Sequence, residues 1–153
     1  MLLLGLTACG FHLRGMVDIP VWLNNVAIID KEGNNRDLVL LLKTQLKGYK
    51  VKVQTDPARA QYWLLINRSS FQQQIVSIGA STNPRQYQLI LTVEFMLQER
   101  KGKIVKEPKI VSATRQLTIN NDLILGSNEE AALLLKEMRQ DAVVQIINRL
   151  TRK

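Results

Sequence analysis

Cys9 is the only cysteine of the chain, and its thiol is the only soft nucleophile that the sequence offers. It follows a short apolar run at residues 2–6 and the small residues Thr7 and Ala8. The run is far shorter than the roughly 20 apolar residues that span a bilayer. An apolar stretch that ends in small residues is typical of the cleavage site of a secretory signal peptide. The pattern therefore predicts chemistry at the Cys9 thiol, next to a processing site.

Leu6-Thr7-Ala8-Cys9 matches a lipobox, the bacterial lipoprotein signal. In such a signal the cysteine thiol is acylated with diacylglycerol, and cleavage makes the cysteine the new N-terminus. Signal peptides usually open with Lys or Arg, whereas here Met1 runs straight into leucines, so we interpret residues 1–8 as the C-terminal part of one. The alternative is a buried structural cysteine in an N-terminal strand.

Catalytic and metal-binding residues are scarce. His12 is the only histidine, and no second metal ligand lies near it in the sequence. We find no phosphate-binding glycine loop, no nucleophile elbow and no dinucleotide fingerprint. Most of the carboxylates lie at predicted helix starts or in turns, where solvation and the helix dipole explain them. We therefore predict a protein that is not an enzyme and that uses no cofactor or metal.

The net charge of +8 and the sequence pI of about 9.9 indicate an anionic partner or surface. An exported chain meets no nucleic acid, and few exposed aromatic residues accompany the basic ones to stack on bases. Phospholipid headgroups, phosphorylated glycolipid and acidic proteins remain. The alternative is that the basic balance merely keeps the protein soluble.

Residues 9–20 are interpreted as a linker to the lipid anchor, and residues 21–153 as one α+β periplasmic domain. A length of 153 residues with 46% hydrophobic residues suits a single core. A lone cysteine cannot form a disulfide within the chain, so the fold must depend on that core. No second hydrophobic run reaches membrane-spanning length.

The sequence pattern in the first part of this domain predicts a strand, a helix and a second strand. Strand-like residues fill 21–30, and leucines at helical spacing follow over 35–47, with Gly48 as the expected end of the helix. Residues 49–54 alternate as a strand should. If the two strands are parallel neighbours, the helix is a right-handed crossover between them.

Long strands and a long helix follow. Residues 61–78 and 87–98 predict two long strands, and residues 79–85 form a loop between them by composition. A return strand contains Pro108, which predicts an edge or a bulge. Ser127 and Glu130 have capping-box spacing before an amphipathic helix that extends to about Leu150. We expect a mostly antiparallel sheet of long strands, with the early helix and the C-terminal helix packed on one face.

The lipobox with "GFHLRG" after its cysteine, and the alternating strand "YQLILTVEFML", resemble the LptE family of lipopolysaccharide-assembly lipoproteins. The resemblance covers essentially the whole mature chain, and only Cys9 to Gly15 is specific. It implies a non-catalytic lipoprotein held to the outer membrane on its periplasmic side by the acylated Cys9. It also implies that the chain plugs the LptD β-barrel and binds lipopolysaccharide.

For the lipopolysaccharide phosphates we predict two groups of cations. Arg85 follows the loop of small residues, and Arg100, Lys101 and Lys103 lie at the opposite end of the hairpin, so the two groups cannot serve one phosphate. Polar residues such as Ser69, Ser70, Gln72 and Gln74 would suit the polar lumen of a barrel, and would equally suit solvent. The alternative function is a lipid-anchored periplasmic scaffold of another envelope complex.

Overall fold

The computed structural model describes residues 18–77, 85–119 and 124–152. Two short strands flank the first helix, three long strands follow, and a long helix ends the chain. In order they are strand β1 (Asn25–Asp30), helix α1 (Arg36–Gly48), strand β2 (Lys52–Gln54), strands β3 (Tyr62–Ser77), β4 (Arg85–Glu99) and β5 (Ile104–Ile119), and helix α2 (Ile124–Thr151). A single 3-10 turn, Pro57–Arg59, leads into β3.

The five strands form one sheet in the order β2-β1-β3-β4-β5. β1 is parallel to both of its neighbours, whereas β3, β4 and β5 are antiparallel in succession. The α+β class is confirmed, but the prediction of a mostly antiparallel sheet is wrong, because the sheet is mixed. The cause lies in two connections. Helix α1 and the segment with the 3-10 turn each return the chain to the end of the sheet at which β1 begins, so β2 and β3 both run parallel to β1.

The long strands outgrow the parallel part of the sheet. β1 pairs with β3 only as far as Ile66, where a register shift in β3 follows, while β3 continues against β4 to Ser77. Among the described residues, the second half of β3 therefore has an open edge. A second irregularity lies in β5 around Pro108, which agrees with the predicted edge or bulge.

The alternating pattern of β4 is confirmed, because one face of that strand lies in the core. Both helices pack on that face, and their buried residues join the same core cluster: Leu89, Leu91, Val93, Phe95 and Leu97 from β4; Leu38, Leu42 and Leu46 from α1; Met138, Ala142, Val143, Ile146, Ile147 and Leu150 from α2. The apolar face predicted for the C-terminal helix is buried only in part, since Ala131 and Leu135, which belong to it, are half-buried. The first half of α2 lies beyond the deepest part of the core.

Both predicted helix ends need correction. α2 begins at Ile124, so Ser127 lies inside the helix and is not its N-cap. α1 includes Gly48, and the left-handed position after it is taken by Lys50, at φ 63°. The N–H of Lys50 donates to the carbonyl of Lys47 (2.9 Å) and that of Val51 to the carbonyl of Leu46 (3.0 Å), the pattern that normally ends on a glycine.

Candidate functional site

The predicted site residues fall into three places. Cys9 lies outside the described residues, as does the loop at residues 79–84, so acylation of Cys9 remains a prediction. Arg85 begins β4 and Arg100 directly follows the strand. A strand of 15 residues separates them by about 50 Å along its axis. The structure thus brings Arg100, Lys101 and Lys103 together at one end of the sheet and places Arg85 at the other.

One end of the sheet gathers exposed cations from several connections. The N–H of Lys52 donates to Asn24 (2.9 Å), and the N–H of Arg100 donates to Gln61 (3.0 Å), which places the starts of β1, β2 and β3 beside the β4–β5 turn. We call this the basic end, defined by its six exposed cations: Lys50, Lys52, Arg59, Arg100, Lys101 and Lys103. Only three of them were predicted, because the others come from separate connections.

A cavity of about 420 Å³ lies within the basic end. Arg59, Arg100 and Lys101 line it together with Glu99, whose carboxylate partly offsets their charge. The Arg100 guanidinium donates to the carbonyl of Ala58 at 3.3 Å, which links the β4–β5 turn to the 3-10 turn. The result is an open cationic surface suited to anionic groups.

A second cavity, of about 470 Å³, lies near the opposite end of the sheet. We call it the distal cavity. Phe71, Leu91 and Leu135 give it apolar walls, and Arg36 and Arg139 bring guanidinium groups to it. Polar groups, among them the carboxylate of Asp37, complete the lining. Apolar walls with guanidinium groups beside them can accept a molecule that combines hydrocarbon with an anionic headgroup. Sequence reasoning missed this site, because its residues come from α1, β3, β4 and α2.

The start of α1 is held by Asp30 at the end of β1. Its carboxylate accepts hydrogen bonds from the backbone N–H (2.8 Å) and the side-chain amide (2.9 Å) of Asn35. Burial by itself would raise the pKa of Asp30, but these bonds, with those from the N–H groups of Gly33 and Glu32, outweigh it and lower the pKa. The ionised carboxylate therefore positions the first turn of α1, which carries Arg36 to the distal cavity.

Arg115 is a cation with a structural role. It points from β5 towards α2, where its guanidinium pairs with Asp141 and lies 3.9 Å from Glu137. Its charge is thus neutralised by carboxylates of α2, and the ion pairs link the sheet to that helix.

Within residues 18–77, 85–119 and 124–152, no three His, Cys, Asp or Glu side chains are grouped so that they could hold a metal ion. No helix in this part of the chain is both long and apolar enough to cross a membrane.

The mixed five-stranded sheet with two helices has the fold of known bacterial lipoproteins. It superimposes on lipoprotein B of Nitrosomonas europaea with a TM-score of 0.75 and 24% identity, over 93% of this chain and 90% of that one. A minor lipoprotein of Acinetobacter baumannii gives a TM-score of 0.71 with 20% identity, over 86% and 94% of the two chains. At these identities the similarity establishes the fold.

The family follows from the sequence comparisons. The family model LptE, described as lipopolysaccharide-assembly, matches residues 23–150. The LPS-assembly lipoprotein LptE of Yersinia enterocolitica is 31% identical over 156 residues, which cover 98% of this chain and 74% of that protein. That of Pectobacterium atrosepticum is 28% identical over 143 residues, 93% of this chain and 76% of the relative. The chain belongs to the LptE family of lipopolysaccharide-assembly lipoproteins, and it is not an enzyme.

Proposed function

We propose that this chain is an outer-membrane lipoprotein, acylated at Cys9, that plugs the LptD β-barrel and binds lipopolysaccharide directly during its insertion into the outer leaflet. Membership of the LptE family is the observation that carries the proposal. Several buried acyl chains, at about 0.8 kcal/mol for each methylene, would make release from the membrane negligible.

The face of the sheet away from the helices supports the role of a plug. Ser70, Gln72 and Gln74 of β3 pair with Thr92, Ile90 and Gln88 of β4, and these side chains lie on the face opposite the core. Such a polar face suits the polar interior of a large barrel. Ser69 is an exception to the predicted set, because it pairs with the buried Val93 and so faces the helices.

The distal cavity supports direct lipid binding. Its walls include Phe71, which is 44% exposed, a large fraction for an aromatic side chain beside a core. Acyl chains could cover this apolar surface, while Arg36 and Arg139 meet phosphate groups. Arg85, the predicted phosphate ligand at this end of the sheet, begins β4.

Direct binding can be tested with purified chain and lipopolysaccharide at several salt concentrations. We expect Arg36→Glu and Arg85→Glu each to weaken binding severalfold, since one exposed charge pair is worth about 1 kcal/mol in water. Arg100→Glu with Lys101→Glu tests the second predicted group of cations, and a loss of binding confined to that variant would place the lipopolysaccharide site at the basic end. Affinity that ignores salt and every substitution would contradict an electrostatic site.

The plug is tested by purification from membranes. A large outer-membrane β-barrel should co-purify with the acylated chain in a defined ratio. Recovery of a different envelope complex without such a barrel would favour the alternative, a lipid-anchored periplasmic scaffold.

A further inference from the structure

The charge of the domain is divided unevenly between the two ends of the sheet. At the basic end, six exposed cations accompany three carboxylates: Asp18, Asp56 and Glu99. At the other end, five cations face six carboxylates, since Glu94 pairs in register with Arg68: Lys31, Arg36, Arg68, Arg85 and Arg139, against Asp30, Glu32, Asp37, Glu94, Glu129 and Glu130. The basic end therefore carries three more cations than carboxylates, whereas the other end carries no excess of cations.

The cations of this surface span several strands. Lys52 pairs in register with Asn25 of β1, the N–H of Gln61 donates to the carbonyl of Asn25 (3.2 Å), and Arg100 follows beside Gln61. Three steps between neighbouring strands cover about 15 Å. Among the ion pairs of the described residues, only one involves a cation of the basic end. It joins Arg59 to the carboxylate of Asp56 at 3.8 Å. A surface of this width can contact more than one anionic group in a plane.

Lys50 has a left-handed backbone conformation, which costs a lysine conformational free energy. Its φ of 63° lies in the left-handed region, where a residue with a Cβ is disfavoured by about 1–2 kcal/mol. A glycine would satisfy the same helix end without that cost. The strained position thus adds one exposed cation to the basic end where a glycine would add none.

Exposed apolar residues lie beside these cations. Val21 is 91% exposed, and Trp22 is 40% exposed while its ring contacts Tyr62 edge to face at a centroid distance of 5.3 Å. Val21 and Lys50 line one shallow cavity, so the apolar and the charged residues share one surface. Tryptophan with adjacent lysine and arginine is the combination that favours the interface of a bilayer.

We propose that the basic end rests on the anionic headgroups of a phospholipid bilayer, with Val21 and Trp22 entering the interfacial layer. The described chain begins at this end, with Asp18 nine positions after Cys9, and nine residues reach at most about 30 Å. The inference rests on the proposed function only for the acyl anchor at Cys9, which would hold this end near the membrane. The surface itself would bind a bilayer without that anchor.

Vesicle binding by the full chain with Cys9→Ser tests the surface without the acyl anchor. The probes are phosphatidylcholine vesicles with and without about a third of phosphatidylglycerol. We expect binding to rise with the anionic lipid and to fall with salt. Each contacting cation should contribute roughly fivefold, so Arg100→Gln with Lys101→Gln should lose twentyfold or more in partition coefficient. Lys31→Gln with Arg68→Gln, at the other end, is the matched control and should bind as the parent does.

Trp22 provides a second measurement. In a Trp63→Phe chain the emission comes from Trp22 alone, because the protein has only two tryptophans. Its emission should shift to shorter wavelength and be quenched by brominated lipid in anionic vesicles. Lys50→Gly should fold at least as well as the parent and bind these vesicles about fivefold more weakly.

Three outcomes would overturn the proposal. Equal binding to both kinds of vesicle would show that charge plays no part. Equal losses in the basic-end variant and the control would show that net charge alone acts. Loss of lipopolysaccharide binding by the basic-end variant, with vesicle binding kept, would make this surface the lipopolysaccharide site instead.

Failure of Arg36→Glu to affect lipopolysaccharide binding would count against the distal cavity as the lipopolysaccharide site. It would not affect the proposal that the basic end binds the bilayer.

Discussion

The Arg139 guanidinium lies 3.0 Å from the carboxylate of Asp37, so an ion pair joins α2 to α1 beside the distal cavity. The Asp37 side chain is 69% exposed, and an exposed pair of this kind contributes about 0–1 kcal/mol to stability. Its larger effect is to hold a cation near the apolar wall formed by Phe71. Any anionic headgroup that enters the cavity must compete with Asp37 for Arg139.

Asp37→Asn should therefore strengthen binding of lipopolysaccharide severalfold, because the substitution removes the competing carboxylate. The free energy of unfolding should change by less than about 1 kcal/mol. Titration of the purified chain with lipopolysaccharide, alongside urea unfolding, measures both quantities. Arg139→Gln is the companion variant and should weaken binding; if Asp37→Asn weakens it as well, the carboxylate helps to bind the ligand.

Cys9→Ala should leave the chain soluble or uncleaved, because the thiol that would receive the diacylglycerol is gone. Fractionation of membranes and labelling with a palmitate analogue measure the result. A processed mutant that still sediments with the outer membrane, in cells lacking the barrel partner, would contradict the predicted lipobox.

Leu91→Ala should lower the free energy of unfolding by about 2–5 kcal/mol, since Leu91 is 4% exposed and its loss leaves a cavity beneath the helices. Denaturant titration of the full chain measures the loss. Leu133→Ala removes the same atoms from a side chain that is 57% exposed and should cost less than about 0.5 kcal/mol. A loss below that value for Leu91→Ala would mean that the buried face of β4 is assigned wrongly.

Asp30→Asn should destabilise the protein at neutral pH by about 1 kcal/mol, because it weakens charge-assisted hydrogen bonds to the start of α1. The pKa of Asp30 is lowered in the folded state, so the ionised carboxylate stabilises the fold above the pKa of the unfolded chain, about 3.9. That stabilisation is lost as the pH falls through the folded-state pKa.

The difference between Asp30→Asn and the parent should accordingly shrink in acid. Urea titrations at neutral pH and near pH 3 measure it. Asp18→Asn, at an exposed position before β1, is the control and should leave stability within about 0.5 kcal/mol of the parent at both pH values. A difference that persists unchanged in acid would show that Asp30 acts by packing alone.

Local patterns determined much of the architecture. The alternation over residues 87–98 identified β4 and its buried face, since a strand repeats every two residues and any slip would expose the whole apolar set. Leucine spacing likewise identified α1. The ends of the helices were less predictable: Gly48 is permitted in the last turn of α1, and the hydrogen bonds of the turn place Lys50 in the left-handed position instead.

The sequence alone also determined the chemical character of the protein: it is basic and without catalytic motifs, and its one cysteine lies in a predicted lipobox, followed by a segment that resembles the family. Only the tertiary structure decided which cations act together. Lys50 and Arg59 lie far from Arg100 in the chain, and all three lie at one end of the sheet because parallel β1, β2 and β3 begin there. The distal cavity arises likewise where β1 ends and β3 continues past the start of α1. Both depend on strand pairing between distant segments, and the periodicity of a single segment carries no information about its partner.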